Sequence, residues 1–142
     1  MNKNKYIILG LVILLFDQII KFIVLNTPRL QEGVFIFGES FGIRTFLNQS
    51  FAWGINISNE HSLALMVLVM GILVWVWIKN SVHTLLLILS GAISNLIDRI
   101  IHGGVVDYIV VPWGGIINIA DIIIFIGVVF LILNKPPNKK EF

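Results

Sequence analysis

The chain has 142 residues, of which 57% are hydrophobic and only 13% charged, and its net charge is +2. A soluble domain carries roughly 25% charged residues, so lipid must be the solvent for much of this surface, and the length fits one compact domain. Basic residues occur singly or in short terminal clusters with no interleaved aromatic patch, which argues against a nucleic-acid partner. The absence of cysteine excludes disulfides, a thiol nucleophile and cysteine-based metal or iron–sulfur ligation. His61, His83 and His102 are widely spaced and form no HExxH pair, so no metal or other cofactor is expected.

A bilayer core takes about 20 apolar residues per helix. Four segments meet this: residues 6–25, 62–78, 82–101 and 116–134. The first follows Lys3 and Lys5 as a signal peptide would, but no small-residue cleavage site follows and the apolar run continues beyond Asp17, so it reads as a retained helix. Between the first two spans, residues 26–61 contain two glycine-bounded apolar runs, Gly33 to Gly38 and Gly42 to Leu47. These read as short strands of a hairpin on the membrane surface. Residues 102–115 form the second connection on that side, and Pro136 and Pro137 stop the last helix. The fold class expected is an all-α membrane protein with four transmembrane helices and a small β-containing extracytoplasmic region.

Lys3 and Lys5 precede the first span, Lys79 lies in the turn between the second and third, and Lys135, Lys139 and Lys140 follow the fourth. On the opposite side, Arg29 and Arg44 are balanced by Glu32, Glu39 and Glu60, and residues 103–115 contain no lysine or arginine. Positive charge collects in the cytoplasm, so both termini are expected there.

An ionisable residue within a span costs about 2.5–3.5 kcal/mol on insertion scales, so each one asks for a reason. Asp17 and Lys21 lie in the last turns of the first span; Asn95, Asp98 and Arg99 in those of the third; Asn118 and Asp121 in the first turns of the fourth. Under this topology all seven lie near the extracytoplasmic face. A conduction path would instead need polar groups through the full thickness. Asp17/Lys21 and Asn95/Arg99 are spaced i,i+4 and Asn118/Asp121 i,i+3, so each pair shares a helix face. Asp17/Lys21 suits either a site or an interfacial ion pair, whereas a helix cap at Asn118/Asp121 would explain one residue and not both.

Asp107 lies between two β-branched runs, close before the fourth span, which brings it toward Asp121. Two carboxylates sharing a site do not both ionise readily, so one keeps a proton, and such a pair can activate water without a cofactor. Gly38-Glu39-Ser40-Phe41-Gly42 matches the G-x-S-x-G elbow of serine hydrolases, but no α/β sheet or strand–turn–helix surrounds it, and its glycines are expected to turn the hairpin. His61 and His102 read as surface residues and His83 as lying at the opposite, cytoplasmic end. Trp53, Trp75, Trp77 and Trp113 suit interfacial belts.

Asp17-Gln18-Ile19-Ile20-Lys21, Asn48 to Gly54, Ser90 to Arg99, Val105-Val106-Asp107-Tyr108 and Asn118-Ile119-Ala120-Asp121, in this order, resemble the motifs of the lipoprotein signal peptidase family over nearly the whole chain. Those motifs are D-x-x-x-K, N-x-G-x-A-F-G, G-G-A-x-G-N-x-x-D-R, V-x-D-[FY] and N-x-A-D. Ser50 and Ser94 stand where the family usually has glycine, and Trp53 where it has phenylalanine. Ser94 is expected to alter helix packing and Ser50 the approach of the loop to substrate. The resemblance implies one membrane aspartic peptidase domain over residues 1–142, in a bacterial cell membrane, that removes signal peptides from lipid-modified prolipoproteins just before their diacylglyceryl cysteine. By the same resemblance Asp107 and Asp121 are the catalytic pair, Asn48, Asn95, Arg99 and Asn118 hold substrate or orient the pair, and Asp17, Lys21 and Asp98 support them. Membrane lipid and the prolipoprotein are the expected partners, with the enzyme a monomer. A small channel or transporter, or a non-catalytic membrane assembly protein, is the alternative, and neither explains the paired acids.

Overall fold

The structure, a computed structural model, describes residues 2–36, 38–50 and 57–133. Helix α1 (Lys3–Leu25) starts on Asn2, whose side chain accepts from the Lys5 N–H at 3.1 Å. It stops where Asn26 and Thr27 turn their side chains back to the carbonyls of Phe22 and Ile23 and Pro28 opens the short helix α2 (Pro28–Glu32). Strand β1 (Val34–Ile36), a 3-10 turn (Gly38–Ser40) and strand β2 (Phe41–Asn48) follow, then α3 (Asn59–Asn80), α4 (Leu85–His102), β3 (Val105–Val110), β4 (Ile116–Ile117) and α5 (Ile119–Leu133). Among the described residues, α1, α3 and α4 are long and apolar enough to cross a membrane, and α5 is apolar over its 15 described residues.

Helix α4 is the central one. It carries nine buried residues and packs against α1, α3 and α5, whereas α3 buries only Ser62 and turns the rest of its apolar surface outward. Small residues set the helix spacing. Gly10 of α1 lies against Ser90, Gly127 of α5 faces Ile88, and a Cβ at Gly91 would come within 2.7 Å of the Ala120 carbonyl oxygen. In lipid, such close backbone packing replaces the hydrophobic drive available in water.

All four strands form one antiparallel sheet in the order β1-β2-β3-β4. The expected hairpin is therefore present, with the Gly38–Gly42 segment turning it: Gly38 has φ +68° and Gly42 sits in β2 opposite Phe35. Strand β3 was not foreseen as a strand. Val105 to Tyr108 are buried on both faces, so no in–out alternation marks them in the sequence. Register pairs Asp107 with Phe46 and Asn48 with Val105, which sets Asp107 and Asn48 on one face. The other face sends Val106 and Tyr108 against Val24, Ile20, Leu25, Leu30 and Ile119.

The expected spans shift at their starts: α1 and α3 begin earlier, at Lys3 and Asn59, while α4 and α5 begin later. Residues 82–84 form a turn, because Ser81 ends α3 in the left-handed region (φ 52°) and α4 begins at Leu85. Ile116 and Ile117 belong to β4 rather than to the last helix, which Asn118 starts. An apolar run does not by itself locate a cap.

Candidate active site

The last turns of α1 and α4, the first turn of α5 and the strand β3 meet at one end of the helices. Gly103, in the left-handed conformation at φ +73°, ends α4 and turns the chain into β3. At Gly104 a Cβ would lie 2.9 Å from the Asn48 carbonyl oxygen, so only glycine lets β2 approach this corner.

Asn118 is the joint between the two acids of interest. Its amide nitrogen donates to Asp107 Oδ1 at 2.7 Å, while its Oδ1 accepts from the Asp121 N–H at 2.8 Å. The Asp121 carboxylate returns a bond from the Asn118 N–H at 3.4 Å. These last two bonds are a capping box, so the cap accounts for both Asn118 and Asp121 after all. It still leaves Asp121 Oδ1 to accept from the Asn95 amide at 2.8 Å. Capping and site-building are done by the same atoms. Asp107 Oδ2 accepts from Asn48 Nδ2 at 3.0 Å.

Beneath this pair lies a buried polar floor. Lys21 Nζ is 2.7 Å from Asp17 Oδ2, 2.7 Å from Asp98 Oδ2 and 3.0 Å from Asn95 Oδ1. Asp17 is 0% and Lys21 2% exposed, which decides against an interfacial ion pair. Asn95 Oδ1 accepts from both Lys21 and Asn118 (3.1 Å), so its NH₂ is necessarily the group turned toward Asp121. Asp98 also accepts the Val106 N–H at 3.1 Å, fixing β3 to α4.

The electrostatics follow. Burial, and then the charge of Asp121, push the Asp107 carboxyl up to about 7, against the hydrogen bonds from Asn48 and Asn118 and the charge of Lys21. Arg99 lies further out. Its Nη2 donates to the Ser50 carbonyl at 2.6 Å, and the Asn59 amide donates to the Arg99 carbonyl at 3.2 Å. Arg99 thus ties together the stems on either side of residues 51–56; Trp53 and the rest of that motif lie outside the described residues. Trp113 is 79% exposed.

Of the nine residues singled out from the sequence, Asn48, Asn95, Asn118, Asp107, Asp121, Asp17, Lys21 and Asp98 join one network, and Arg99 flanks it. Three members were missed. Ser94 is not merely a packing change: its hydroxyl donates to Asp17 Oδ2 at 2.6 Å and accepts from Gln18 Nε2 at 2.9 Å. Gln18 also donates to Asp98 Oδ1 at 3.0 Å, and Tyr108 donates to Asp17 Oδ1 at 2.9 Å. A glutamine inside an apolar span was a signal available in the sequence; the serine and the tyrosine carried none.

Apolar helices long enough to cross a membrane, with two carboxyls bridged by one asparagine side chain at one end, define the class: a membrane protein with a buried acid pair. Comparison with known proteins narrows it. Residues 9–135 match the model of the signal peptidase (SPase) II family. The lipoprotein signal peptidases of Staphylococcus aureus strains JH9 and Newman are each 31% identical to the chain over 99% of its length and 98% of theirs. Two bacterial membrane enzyme structures solved by the in meso method superpose with TM-scores of 0.82 and 0.81 at 29% and 27% identity, covering 98% and 95% of this chain and 93% and 94% of theirs. The chain belongs to the signal peptidase II family.

Proposed function

We propose that this protein cleaves the signal peptide from lipid-modified prolipoproteins at a dyad of Asp107 and Asp121. The observation that carries the assignment is the Asn118 side chain, bonded at once to the Asp107 carboxylate and to the Asp121 backbone. In the proposed reaction one carboxylate takes a proton from water, whose oxygen attacks the scissile carbonyl. The other, protonated, donates to the carbonyl oxygen. Collapse of the tetrahedral species breaks the C–N bond, and the proton taken from water passes to the departing amine of the lipid-modified cysteine. Asn48 and Asn95 orient the two carboxyls, and Arg99 holds Ser50 and Asn59 beside them.

The reading extends to the membrane. Four spans would carry the site to the extracytoplasmic face of a bacterial cell membrane, with both termini cytoplasmic and the enzyme acting as a monomer. Supporting this, Lys3 and Lys79 stack over Trp77 and Trp75, at 5.0 and 5.1 Å, toward the end of the helices remote from the dyad. A lipid-anchored substrate can present its peptide there while its acyl chains stay in the bilayer, an orientation effect that supplies part of the acceleration.

The test is purified protein incubated with one prolipoprotein, with and without prior lipidation of its cysteine. Cleavage before the cysteine in the lipidated form alone is expected. Equal cleavage of ordinary secretory precursors would remove the lipoprotein assignment, and no cleavage of either by folded protein would favour a channel or assembly role.

A further inference from the structure

Tyr108 links the two halves of the site. Its hydroxyl donates to Asp17 Oδ1 at 2.9 Å and accepts from the Ile119 N–H at 3.3 Å. Asp107 is its neighbour in β3, and Ile119 is the first residue of α5, two before Asp121. We propose that the Tyr108 hydroxyl is a positioning group that sets the separation of Asp107 and Asp121 by clamping β3 and the first turn of α5 to Asp17 of α1; this rests on the dyad assignment above.

The chemistry suits a fixed clamp. Tyr108 is 2% exposed, and burial together with Asp17 drives its phenol upward, so it keeps its proton and donates at every working pH. The Ile119 N–H is one of the donors that a helix start leaves without an intrahelical partner. Asn118 takes the N–H groups of Asp121 and Ile122, so the cap serves a different part of the turn and the tyrosine serves Ile119. Phenylalanine fills the same space but leaves Asp17 Oδ1 and the Ile119 N–H without these bonds.

The charged groups that act on Asp107 are Asp121 from α5, Lys21 from α1 and Arg99 from α4, with Asp17 and Asp98 paired to Lys21, and the test alters none of them. Tyr108→Phe and Ile119→Pro each remove one partner of the same bond; proline is well suited to the first position of a helix, where it deletes only the N–H. Ile119→Ala controls for the lost side chain. With lipidated prolipoprotein as substrate, Tyr108→Phe and Ile119→Pro should each lower kcat about fivefold or more with KM within about twofold. The alkaline limb of the pH profile should move to lower pH, because a wider gap weakens the repulsion from Asp121. Ile119→Ala should leave that limb in place, and the double variant should be no worse than the more impaired single.

An unchanged kcat and limb in Tyr108→Phe, or a loss that merely tracks the folded fraction in thermal unfolding, overturns the clamp. If Tyr108→Phe fails to fold, Ile119→Pro decides alone by the same limb. Turnover by Asp107→Asn would remove the dyad, whereas an inert Asp107→Asn beside an unaffected Tyr108→Phe removes only the clamp.

Discussion

Asp107 holds a proton more tightly in the folded protein than in the unfolded chain, and the sign of its pH dependence follows. Between the ordinary carboxyl value near 4 and the folded value of about 7, the native state binds more protons than the unfolded state. Its contribution to stability is therefore fully present below about pH 4 and is lost as pH rises to about 7. Asp107→Asn removes this dependence. The variant should be inactive yet about as stable as the parent near pH 4 and more stable by a few kcal/mol, order of magnitude, at pH 8, as read by thermal unfolding in detergent. A parent whose stability rises with pH over that window would contradict the raised Asp107 carboxyl. Lys21 is the opposite case. Lys21→Met leaves Asp17 and Asp98 buried and facing each other, so it should cost about 3–5 kcal/mol, seen as a lowered unfolding midpoint.

Elements, rather than single groups, determine how the two acids meet. Asp107 is delivered by a strand and Asp121 by a helix start, and glycines set the distance of each from its neighbour. A Cβ at Gly91 meets a backbone oxygen of the turn that carries Asp121, which cannot swing aside, while one at Gly10 meets Ser90 Cβ at 3.3 Å, a tight contact that a shift of a few tenths of an ångström relieves. Gly91→Ala should therefore lower kcat/KM by about tenfold or more, since misplacement of about 1 Å can cost 100-fold. Gly10→Ala should stay near the parent, with membrane-inserted protein quantified in both. The helices and the first hairpin were legible because apolar runs of span length and glycine-bounded β-branched runs are local signals. Strand β3 was not, since a strand covered on both faces loses its alternation. The start of α5 was shifted because β4 and the helix share one apolar run.

At the scale of the molecule, the polar network occupies one end of the helices and stacked Lys–Trp pairs lie toward the other. With no native cysteine, single introduced thiols report the orientation without background. Trp113→Cys should react with a membrane-impermeant maleimide on intact cells, and Ser81→Cys only after lysis. Labelling of Ser81→Cys on intact cells would overturn the proposed topology and the extracytoplasmic placement of the site together.

Sequence alone determined the solvent of this protein, its long apolar helices to within a few residues, and the identity of its polar residues, because hydropathy and the cost of charge in lipid act on each segment separately. Order along the chain also carried the family, since five short motifs kept their succession. Only the tertiary structure decided that Asp17 and Lys21 are a buried floor and not an anchor, that one asparagine both caps α5 and joins the two acids, and that Ser94, Gln18 and Tyr108 belong to the network. Gln18 inside an apolar span and the i,i+3 spacing of Asn118 and Asp121 were local signals, but the bonds that join these residues to Asp17, Asp98 and Asp107 run between positions distant in the chain, and neither residue type nor spacing encodes the partner.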